Sequence, residues 1–230
     1  MTNKHKLIEL YDMGRCTHKA VPGMYQFIID RANAFVADPT RAEELKQSAA
    51  NRELPGYSIP QDQFTEMCGI WVTAYKSGAF PIDVKAITFS DTPTRFRAVR
   101  DAGRNVGILT SGSRDFTEIL YSLPLEEGGR LSHFVDEYLL GEEIGDKDHA
   151  ETFGRLWEAK QGQIAAVFDD KVSVCEAAVS GFRQAGGSSR IYLVDRKGSY
   201  ENIQGELADR VRVLEGQGVQ RIKSFDQVLD

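Results

Sequence analysis

The spacing of apolar residues divides the chain into a helical first part and a second part in which strands and helices alternate. From about Val21 to Phe80, apolar residues recur three or four positions apart, as on the buried face of a helix. After Pro60 this face is formed by Phe64, Met67, Cys68, Trp71 and Tyr75. From about Ala86 onward, short apolar runs alternate with amphipathic stretches, a pattern typical of parallel sheets.

The second part predicts several buried strands with helices between them. The predicted strands are Val106–Leu109, Ile164–Phe168, Ile191–Val194 and Arg221–Phe225, with Phe134–Leu140 left open between strand and irregular chain. The predicted helices are Ser113–Tyr121, Asp148–Lys160 and Val172–Phe182. Because Val106–Leu109, Ile164–Phe168 and Ile191–Val194 are apolar throughout rather than alternating, they favour a parallel sheet covered by helices on both faces.

One more strand, Leu7–Tyr11, is predicted before the helical part. The sheet is therefore built from two stretches of chain that are separated by the helices. We predict an α/β fold with a doubly wound, Rossmann-like parallel sheet. Residues 1–18 and 84–230 form its core domain, and residues 19–83 form a helical cap domain that is inserted after the first strand.

Composition narrows the classes of partner. The 230 residues are 41% hydrophobic and 27% charged, which is ordinary for a globular protein and excludes a disordered chain. The net charge of -6 argues against a nucleic-acid or membrane partner, because both require concentrated Lys and Arg. Three widely spaced cysteines fit neither a disulfide framework nor a zinc site, and no signal or membrane segment is visible, so we expect a cytoplasmic protein.

Polar residues follow the predicted strands, at the sheet edge where ligands bind in doubly wound folds. Asp12 follows the first strand and is either a carboxylate nucleophile, a metal ligand or an ordinary turn residue. Thr110, Ser111 and Gly112 follow Val106–Leu109, where hydroxyls and free amides at a helix start would hold a phosphate. The alternative for this run is a helix cap.

Two further charged groups occupy equivalent places. Lys147 lies at the start of a predicted helix, where it either neutralises a phosphate or is simply solvated. Asp169 and Asp170 end the strand Ile164–Phe168. Paired carboxylates in this place favour a Mg²⁺ site over helix capping, because hard cations take oxygen ligands.

The order of these elements resembles the haloacid-dehalogenase-like (HAD) superfamily. Within it the chain is most similar to the enolase-phosphatase, or acireductone synthase, family. The likeness rests on Gly69–Gly78, Ile108–Ser113, Gly145–Lys147, Phe168–Asp170 with Glu176–Ala178, Val194–Gly198 and Ser224–Asp226.

The resemblance implies a phosphoric monoester hydrolase that acts on a small phosphorylated metabolite with Mg²⁺. Its implied catalytic residues are Asp12, as the nucleophile, and Lys147, which neutralises charge. Thr110, Ser111 and Gly112 would hold the phosphoryl group with help from the nearby charge of Arg15. The implied Mg²⁺ ligands are Asp12, the carbonyl of Gly14 and Asp170.

The first motif departs from the family pattern, which has an acidic residue two positions after the nucleophile. Here the run is Asp12-Met13-Gly14-Arg15-Cys16-Thr17, so that Gly14 replaces the acid, or a residue is deleted and Tyr11 takes the nucleophile position. Two hypotheses follow. Either another group replaces the missing proton donor and the protein is a phosphatase, or it has lost this activity and catalyses another reaction or acts as a binding or regulatory protein.

Overall fold

The structure is a computed structural model that describes residues 6–19, 21–52, 54, 59–82, 87–125, 127–198, 200 and 203–228. Contacts within the chain divide it into two compact units. The first, here called the sheet unit, comprises Met1–Lys19, Thr88–Thr110 and Leu131–Asp230. The second, the helical unit, comprises Ala20–Ile87 and Ser111–Arg130. The assignment of residues 19–83 as a cap domain stays a prediction.

The sheet unit contains one parallel sheet with the strand order β3-β2-β1-β4-β5-β6. The strands are β1 (Ile8–Tyr11), β2 (Asn105–Thr110), β3 (Glu137–Leu140), β4 (Ile164–Asp169), β5 (Arg190–Val194) and β6 (Gln220–Ile222). All neighbouring pairs are parallel. The prediction of an α/β, Rossmann-like parallel sheet is confirmed, and the strand that precedes the helical part lies at its centre.

Helices connect these strands in the described part of the chain. In chain order they are α1 (Met24–Arg31), α2 (Pro39–Asn51), α3 (Gln61–Lys76), α4 (Asp91–Asp101), α5 (Arg114–Ser122), α6 (Gly141–Ile144), α7 (Ala150–Ala159), α8 (Val172–Gln184) and α9 (Glu206–Gly216), with short 3-10 helices at Ala32–Ala34, Leu131–His133 and Phe225–Gln227. The first three helices and α5 belong to the helical unit. No helix in the described ranges is long and apolar enough to cross a membrane.

The two faces of β1 are buried against different partners. Ile8 and Leu10 belong to the main apolar cluster of the sheet unit, together with side chains of α7 and α8. Glu9 and Tyr11 point to the other face, where Tyr11 lies against Phe96 of α4 and stacks on Phe168 of β4. Burial on both faces explains why the strand sequences show no alternation of apolar and polar residues.

Helices α7 and α8 approach each other unusually closely. A Cβ atom at Gly181 would lie 2.1 Å from the carbonyl oxygen of Ala150 and 2.9 Å from the amide nitrogen of Gly154. Only glycine permits this backbone approach. Because α7 begins shortly after Lys147 and α8 shortly after Asp170, their packing fixes two segments that carry charged residues at the same sheet edge.

The helical unit has its own core around α3. Trp71 is 1% exposed, and its indole N–H donates a 2.8 Å hydrogen bond to the carbonyl of Met24. Tyr25, Phe64 and Phe116 surround the same indole ring. Of the apolar face predicted after Pro60, Met67, Cys68 and Trp71 are buried in α3, whereas Phe64 and Tyr75 are half-buried.

Two predicted details of the sheet unit differ from the structure. The last strand ends at Ile222, and Phe225 lies in a 3-10 helix instead of the strand. Ser224 and Gln227 cap that short helix through reciprocal hydrogen bonds, which favour a turn over a continued strand. Helix α9 was not predicted; of its apolar residues, Ala208, Val211 and Leu214 are buried, whereas Leu207 and Val213 are exposed.

Candidate active site

The carboxyl ends of the central strands bring the predicted site residues of the sheet unit together. Asp12 follows β1 directly, and its backbone N–H donates a 2.8 Å hydrogen bond to the carbonyl of Phe168 in β4. Only 6% of its surface is exposed. Since β1 lies between β2 and β4, the residues that end these three strands meet at one edge of the sheet.

Lys147 reaches this edge from the segment between α6 and α7. Its ammonium group donates one hydrogen bond to Asp12 Oδ1 and another, of 2.7 Å, to Asp169 Oδ2. The lysine itself is 4% exposed. The two carboxylates compensate the charge of the buried ammonium group, and removing one of these partners would leave an uncompensated charge in the interior.

The loop that carries Lys147 is held by side chains of α7. Thr152 Oγ1 donates a 2.7 Å hydrogen bond to the carbonyl of Asp146, and Arg155 donates one of 3.0 Å to the carbonyl of Ile144. Gly145 has a φ of 90°, which side chains rarely tolerate. These contacts explain why a lysine far from Asp12 in sequence lies beside it in space.

Asp169 and Asp170 have different surroundings. Asp169 is fully buried, and its carboxylate accepts from Lys147 and, at 2.9 Å, from the backbone N–H of Lys171. No described residue donates a hydrogen bond to the carboxylate of Asp170, which is partly exposed. One carboxylate oxygen from each of Asp12, Asp169 and Asp170 lies within 4.8 Å of the others.

Burial, reinforced by the neighbouring acids, raises the pKa values of two of these carboxylates. Burial is the main cause of a raised pKa of about 6 for Asp12, which Lys147 opposes and Asp169 reinforces. Burial, followed by the charges of Asp12 and Asp169, raises the pKa of Asp170 to about 7. The pKa of Lys147 is lowered by burial but raised more strongly by Asp12 and Asp169, so the lysine stays protonated.

The donor set fits a hard divalent cation. The Lys147 ammonium group and the backbone N–H of Lys171 donate hydrogen bonds to the two carboxylate oxygens of Asp169. Lys147 also donates one to Oδ1 of Asp12. Asp12 Oδ2 and the carboxylate of Asp170 accept no hydrogen bond from a described residue. Carboxylate oxygens that lie close together and lack donors are suited to Mg²⁺. Burial and the neighbouring acids disfavour the charged forms of Asp12 and Asp170, and a bound cation would offset this.

The loop after Asp12 is tightly hydrogen-bonded. Thr17 Oγ1 lies 3.2 Å from the carbonyl oxygens of both Asp12 and Met13. Arg15 has a φ of 59°, and its backbone N–H donates to the carbonyl of His18 at 2.7 Å. The charge of Arg15 lowers the pKa of Asp170, although burial and the neighbouring acids prevail. The predicted cationic residue therefore acts electrostatically on the acidic cluster.

Tyr11, Asp12 and Gly14 of the first motif have distinct surroundings. Tyr11 is fully buried on the face of the sheet, where its hydroxyl contacts Glu9 and Arg95. Asp12, and not Tyr11, is therefore the residue beside Lys147. At Gly14, a Cβ atom would lie 3.8 Å from Asp12 Oδ2, an ordinary contact, so the position could hold a side chain next to the carboxylate.

The predicted phosphate-binding run falls into two parts. Thr110 ends β2 in the sheet unit and is 4% exposed. Ser111 and Gly112 belong to the helical unit, in which the carbonyl of Ser111 accepts a 2.8 Å hydrogen bond from Gln61. The role of these three residues in holding a phosphoryl group stays a prediction.

Sequence reasoning noticed Asp169 only as one of a pair, whereas the structure gives it a separate task. It holds Lys147 in place, while Asp170 offers the carboxylate without a donor. Sequence reasoning also missed the buried Glu9, which accepts hydrogen bonds from Arg95 and Arg104. A charged residue inside an otherwise apolar predicted strand was the signal for it.

Comparison with known proteins supports the fold at low sequence identity. No family model and no curated protein matches the sequence. A HAD phosphatase from Thermococcus onnurineus superposes with a TM-score of 0.58 at 14% identity, covering 95% of this chain and 94% of that one. CbbY from Rhodobacter sphaeroides, solved with phosphate, gives a TM-score of 0.58 at 15% identity, covering 96% of each chain.

A third solved structure is similar over its whole length. The Unknown transcript 4 protein of Saccharomyces cerevisiae gives a TM-score of 0.56 at 15% identity, covering 98% of this chain and 100% of that chain. The chain in the present structure has the HAD-like fold. At such identities the likeness concerns the fold, and the chemistry has to be argued from the site.

Proposed function

We propose that this protein is a Mg²⁺-dependent HAD-like hydrolase that removes the phosphoryl group from a small phosphorylated metabolite. The observation that carries the proposal is the convergence of Asp12, Lys147 and Asp170 at the end of the central strand. The sequence likeness to the enolase-phosphatase family and the fold likeness to phosphatases favour this reaction class. The proposal includes a core domain of residues 1–18 and 84–230, a cap domain of residues 19–83 and a cytoplasmic location.

The proposal assigns a role to every site residue, and Asp12 has two. Asp12 is the nucleophile, and the protonated Lys147 orients its carboxylate and compensates negative charge that builds up during the reaction. Asp12 and Asp170, with the carbonyl of Gly14, would hold Mg²⁺. When bound, the ion supplies positive charge that lets an anionic carboxylate approach an anionic phosphate. Thr110, Ser111 and Gly112 hold the phosphoryl oxygens, with Arg15 as a nearby positive charge.

The reaction proceeds in two displacements. An oxygen of the Asp12 carboxylate forms a bond to phosphorus while the bond between phosphorus and the substrate oxygen breaks, and the alkoxide that leaves takes a proton. Water then attacks the aspartyl phosphate, which releases inorganic phosphate and restores the carboxylate. Because Gly14 cannot donate a proton, the leaving oxygen has to take it from another group or from water, so we expect slow turnover or a substrate with an acidic leaving group.

The direct test is hydrolysis of an aryl phosphate, whose leaving group needs little protonation. We expect Mg²⁺-dependent turnover by the wild type and a loss on the order of 10⁴-fold in Asp12→Asn, because the nucleophile is removed. Asp209→Asn, an exposed change on α9, serves as the control and should retain full activity. Equal activity in wild type and Asp12→Asn would rule the proposal out.

A second function is favoured by Gly14 itself. A site that retains the acids and the lysine but lacks the proton donor can bind Mg²⁺ and a phosphorylated ligand without hydrolysing it. In that case the protein catalyses another reaction or acts as a binding or regulatory protein. Calorimetry with Mg²⁺ and inorganic phosphate would then show binding, while every phosphoester assayed stays intact.

A further inference from the structure

The segment after β5 belongs to the sequence likeness but has no role in the proposed reaction. It runs from Asp195 to Tyr200, with Asp195 to Gly198 and Tyr200 described by the structure. Two of its side chains reach away from their own strand toward neighbouring loops. One contacts the loop that follows Asp12, and the other contacts the backbone of Asp170.

Arg196 is the first of these side chains. Its Nε and Nη2 atoms donate hydrogen bonds of 3.1 and 2.9 Å to the carbonyl of Cys16, and its Nη1 atom donates one of 2.6 Å to Asp91. The guanidinium lies between two aromatic rings, 4.2 Å from the centre of Phe89 and 4.5 Å from that of Phe225. The side chain is 7% exposed, and these hydrogen bonds and ring contacts together restrain its position.

The loop that accepts the hydrogen bonds of Arg196 follows Asp12, the proposed nucleophile, directly in the chain. Cys16 lies two residues beyond Gly14 and next to Thr17, whose hydroxyl contacts the carbonyl of Asp12. The same loop is closed on itself by the 2.9 Å hydrogen bond from the His18 N–H to the carbonyl of Met13. Because this short loop is hydrogen-bonded internally, the hydrogen bonds that Arg196 donates to Cys16 also restrain the position of Gly14.

Tyr200 is the second side chain. Its hydroxyl donates a 2.7 Å hydrogen bond to the backbone carbonyl of Asp170. Its own backbone is anchored at both ends, because its N–H donates to Asp195 at 3.0 Å and its carbonyl accepts from Arg221 at 2.7 Å. The ring packs against the apolar cluster of the sheet unit. The Tyr200 hydroxyl is therefore held in place, and its hydrogen bond restrains the backbone of Asp170.

We propose that Arg196 and Tyr200 are positioning residues that set the spacing of the two loops holding the cation, through the Cys16 carbonyl on one side and the Asp170 carbonyl on the other. This inference rests on the proposed function. Neither side chain touches a metal ligand's carboxylate. They act because Mg²⁺ demands near-ideal octahedral geometry and tolerates poorly placed oxygens badly. Groups that orient metal ligands typically change metal affinity by about 10–100-fold when removed.

Tyr200→Phe is the cleaner variant, because it removes one hydroxyl and retains the packed ring. Titration of the full-length protein with Mg²⁺ alone, followed by calorimetry, should show affinity weaker by about 10-fold. Tyr192→Phe is the matched control: it makes the same change in β5, and its hydroxyl takes part in none of the described hydrogen bonds of either loop. Its Mg²⁺ affinity should equal that of the wild type.

Arg196 is tested with two variants, since its loss could also affect folding. Arg196→Lys can retain one donor to the Cys16 carbonyl, whereas Arg196→Met retains none. We expect both to bind Mg²⁺ more weakly than the wild type, with the lysine variant recovering part of the loss. Arg210→Gln, which removes a half-exposed ion pair with Glu176 on α8, should leave Mg²⁺ affinity unchanged. Melting temperatures without metal show whether loss of affinity merely follows loss of stability.

Asp170→Asn separates failure of this inference from failure of the proposed function. If Asp170→Asn weakens Mg²⁺ binding but Tyr200→Phe and Arg196→Met bind like the wild type, the positioning role is wrong and the metal site stands. If wild type and Asp170→Asn bind Mg²⁺ with equal affinity, the proposed metal site is wrong, and the positioning role of Arg196 and Tyr200 is then wrong as well. A loss in Tyr200→Phe that Tyr192→Phe does not share supports the positioning role.

Discussion

Two buried carboxylates lie three residues apart at the centre of the sheet, and their surroundings differ completely. Glu9 is fully buried within β1 and accepts hydrogen bonds of 3.0 and 2.8 Å from Arg95 and one of 2.5 Å from Arg104. Asp12, just beyond the strand, shares the single cation Lys147 with Asp169 and has Asp170 nearby. One carboxylate is surrounded by positive charge and the other by further acids.

The difference separates a structural carboxylate from a site built for a cation. Around Glu9, cationic and hydroxyl donors compensate the charge, so removing the acid takes away the counter-charge of Arg95 and Arg104. Around Asp12, like charges are held together and the pKa values of Asp12 and Asp170 are raised to about 6 and about 7. Proteins retain such unfavourable groupings where function requires them. The following predictions test this contrast in order of decreasing effect.

Glu9→Gln should destabilise the protein strongly. The amide has nearly the same shape but cannot compensate two arginines, and breaking a buried ion pair typically costs about 3–5 kcal/mol. The measurement is the free energy of unfolding from urea denaturation. Glu176→Gln removes a carboxylate from a half-exposed pair with Arg210 and should cost no more than about 1 kcal/mol. Similar losses in the two variants would contradict the structural role of Glu9.

Gly14→Asp should raise turnover of substrates with poor leaving groups. The Cβ has room beside Asp12 Oδ2, and the new carboxyl group could donate the missing proton. General acid catalysis is worth about 10²-fold at the low end of its usual range. The rate is measured with an alkyl phosphate. Gly14→Asn has the same size but no transferable proton, so a gain shared by both variants would count against the explanation.

The affinity for Mg²⁺ should fall as the pH is lowered below about 7. Burial and neighbouring acids raise the pKa of Asp170 to about 7 and, mainly through burial, that of Asp12 to about 6, so both hold protons that the cation must displace. Where one proton is displaced, the affinity changes by about tenfold per pH unit. Calorimetry between pH 5 and 8 measures the change, and an affinity independent of pH would contradict it.

The same shifts fix the sign of the stability change without metal. Because both carboxyls have raised pKa values, the folded protein retains protons between about pH 4 and 7 that the unfolded chain releases. Their contribution to the free energy of unfolding is therefore largest at low pH and is lost as the pH rises through these values. Added Mg²⁺ should offset that loss, so its effect on the melting temperature should grow from pH 5 to pH 8.

The strand-helix pattern was sufficient to predict the sheet, because buried strands and polar helix starts are local signals. Val106–Leu109 and Ile164–Phe168 lie within observed strands for this reason. Helix α9 was missed although its buried residues Ala208, Val211 and Leu214 recur at helical spacing. Asp12, Lys147 and Asp170 could be singled out because the chemistry of a sheet edge depends on which residues follow the strands.

The separate role of each of these residues could not be predicted from the sequence. Nothing in the order Asp169-Asp170 tells which acid would bind Lys147, since that depends on how far each side chain reaches in space. The contacts of Arg196 and Tyr200 also depend on residues far away in the chain. Long-range hydrogen bonds of this kind leave no periodic pattern in a single sequence.

The central claim is that Asp12 and Asp170 hold one cation beside Lys147. It is tested most directly by a crystal structure of the protein soaked with Mn²⁺, whose anomalous scattering locates the ion, together with a phosphate analogue. We predict an ion bound by carboxylate oxygens of both aspartates, with the analogue near the ammonium group of Lys147. An ion bound elsewhere, or by only one of these aspartates, would contradict the account.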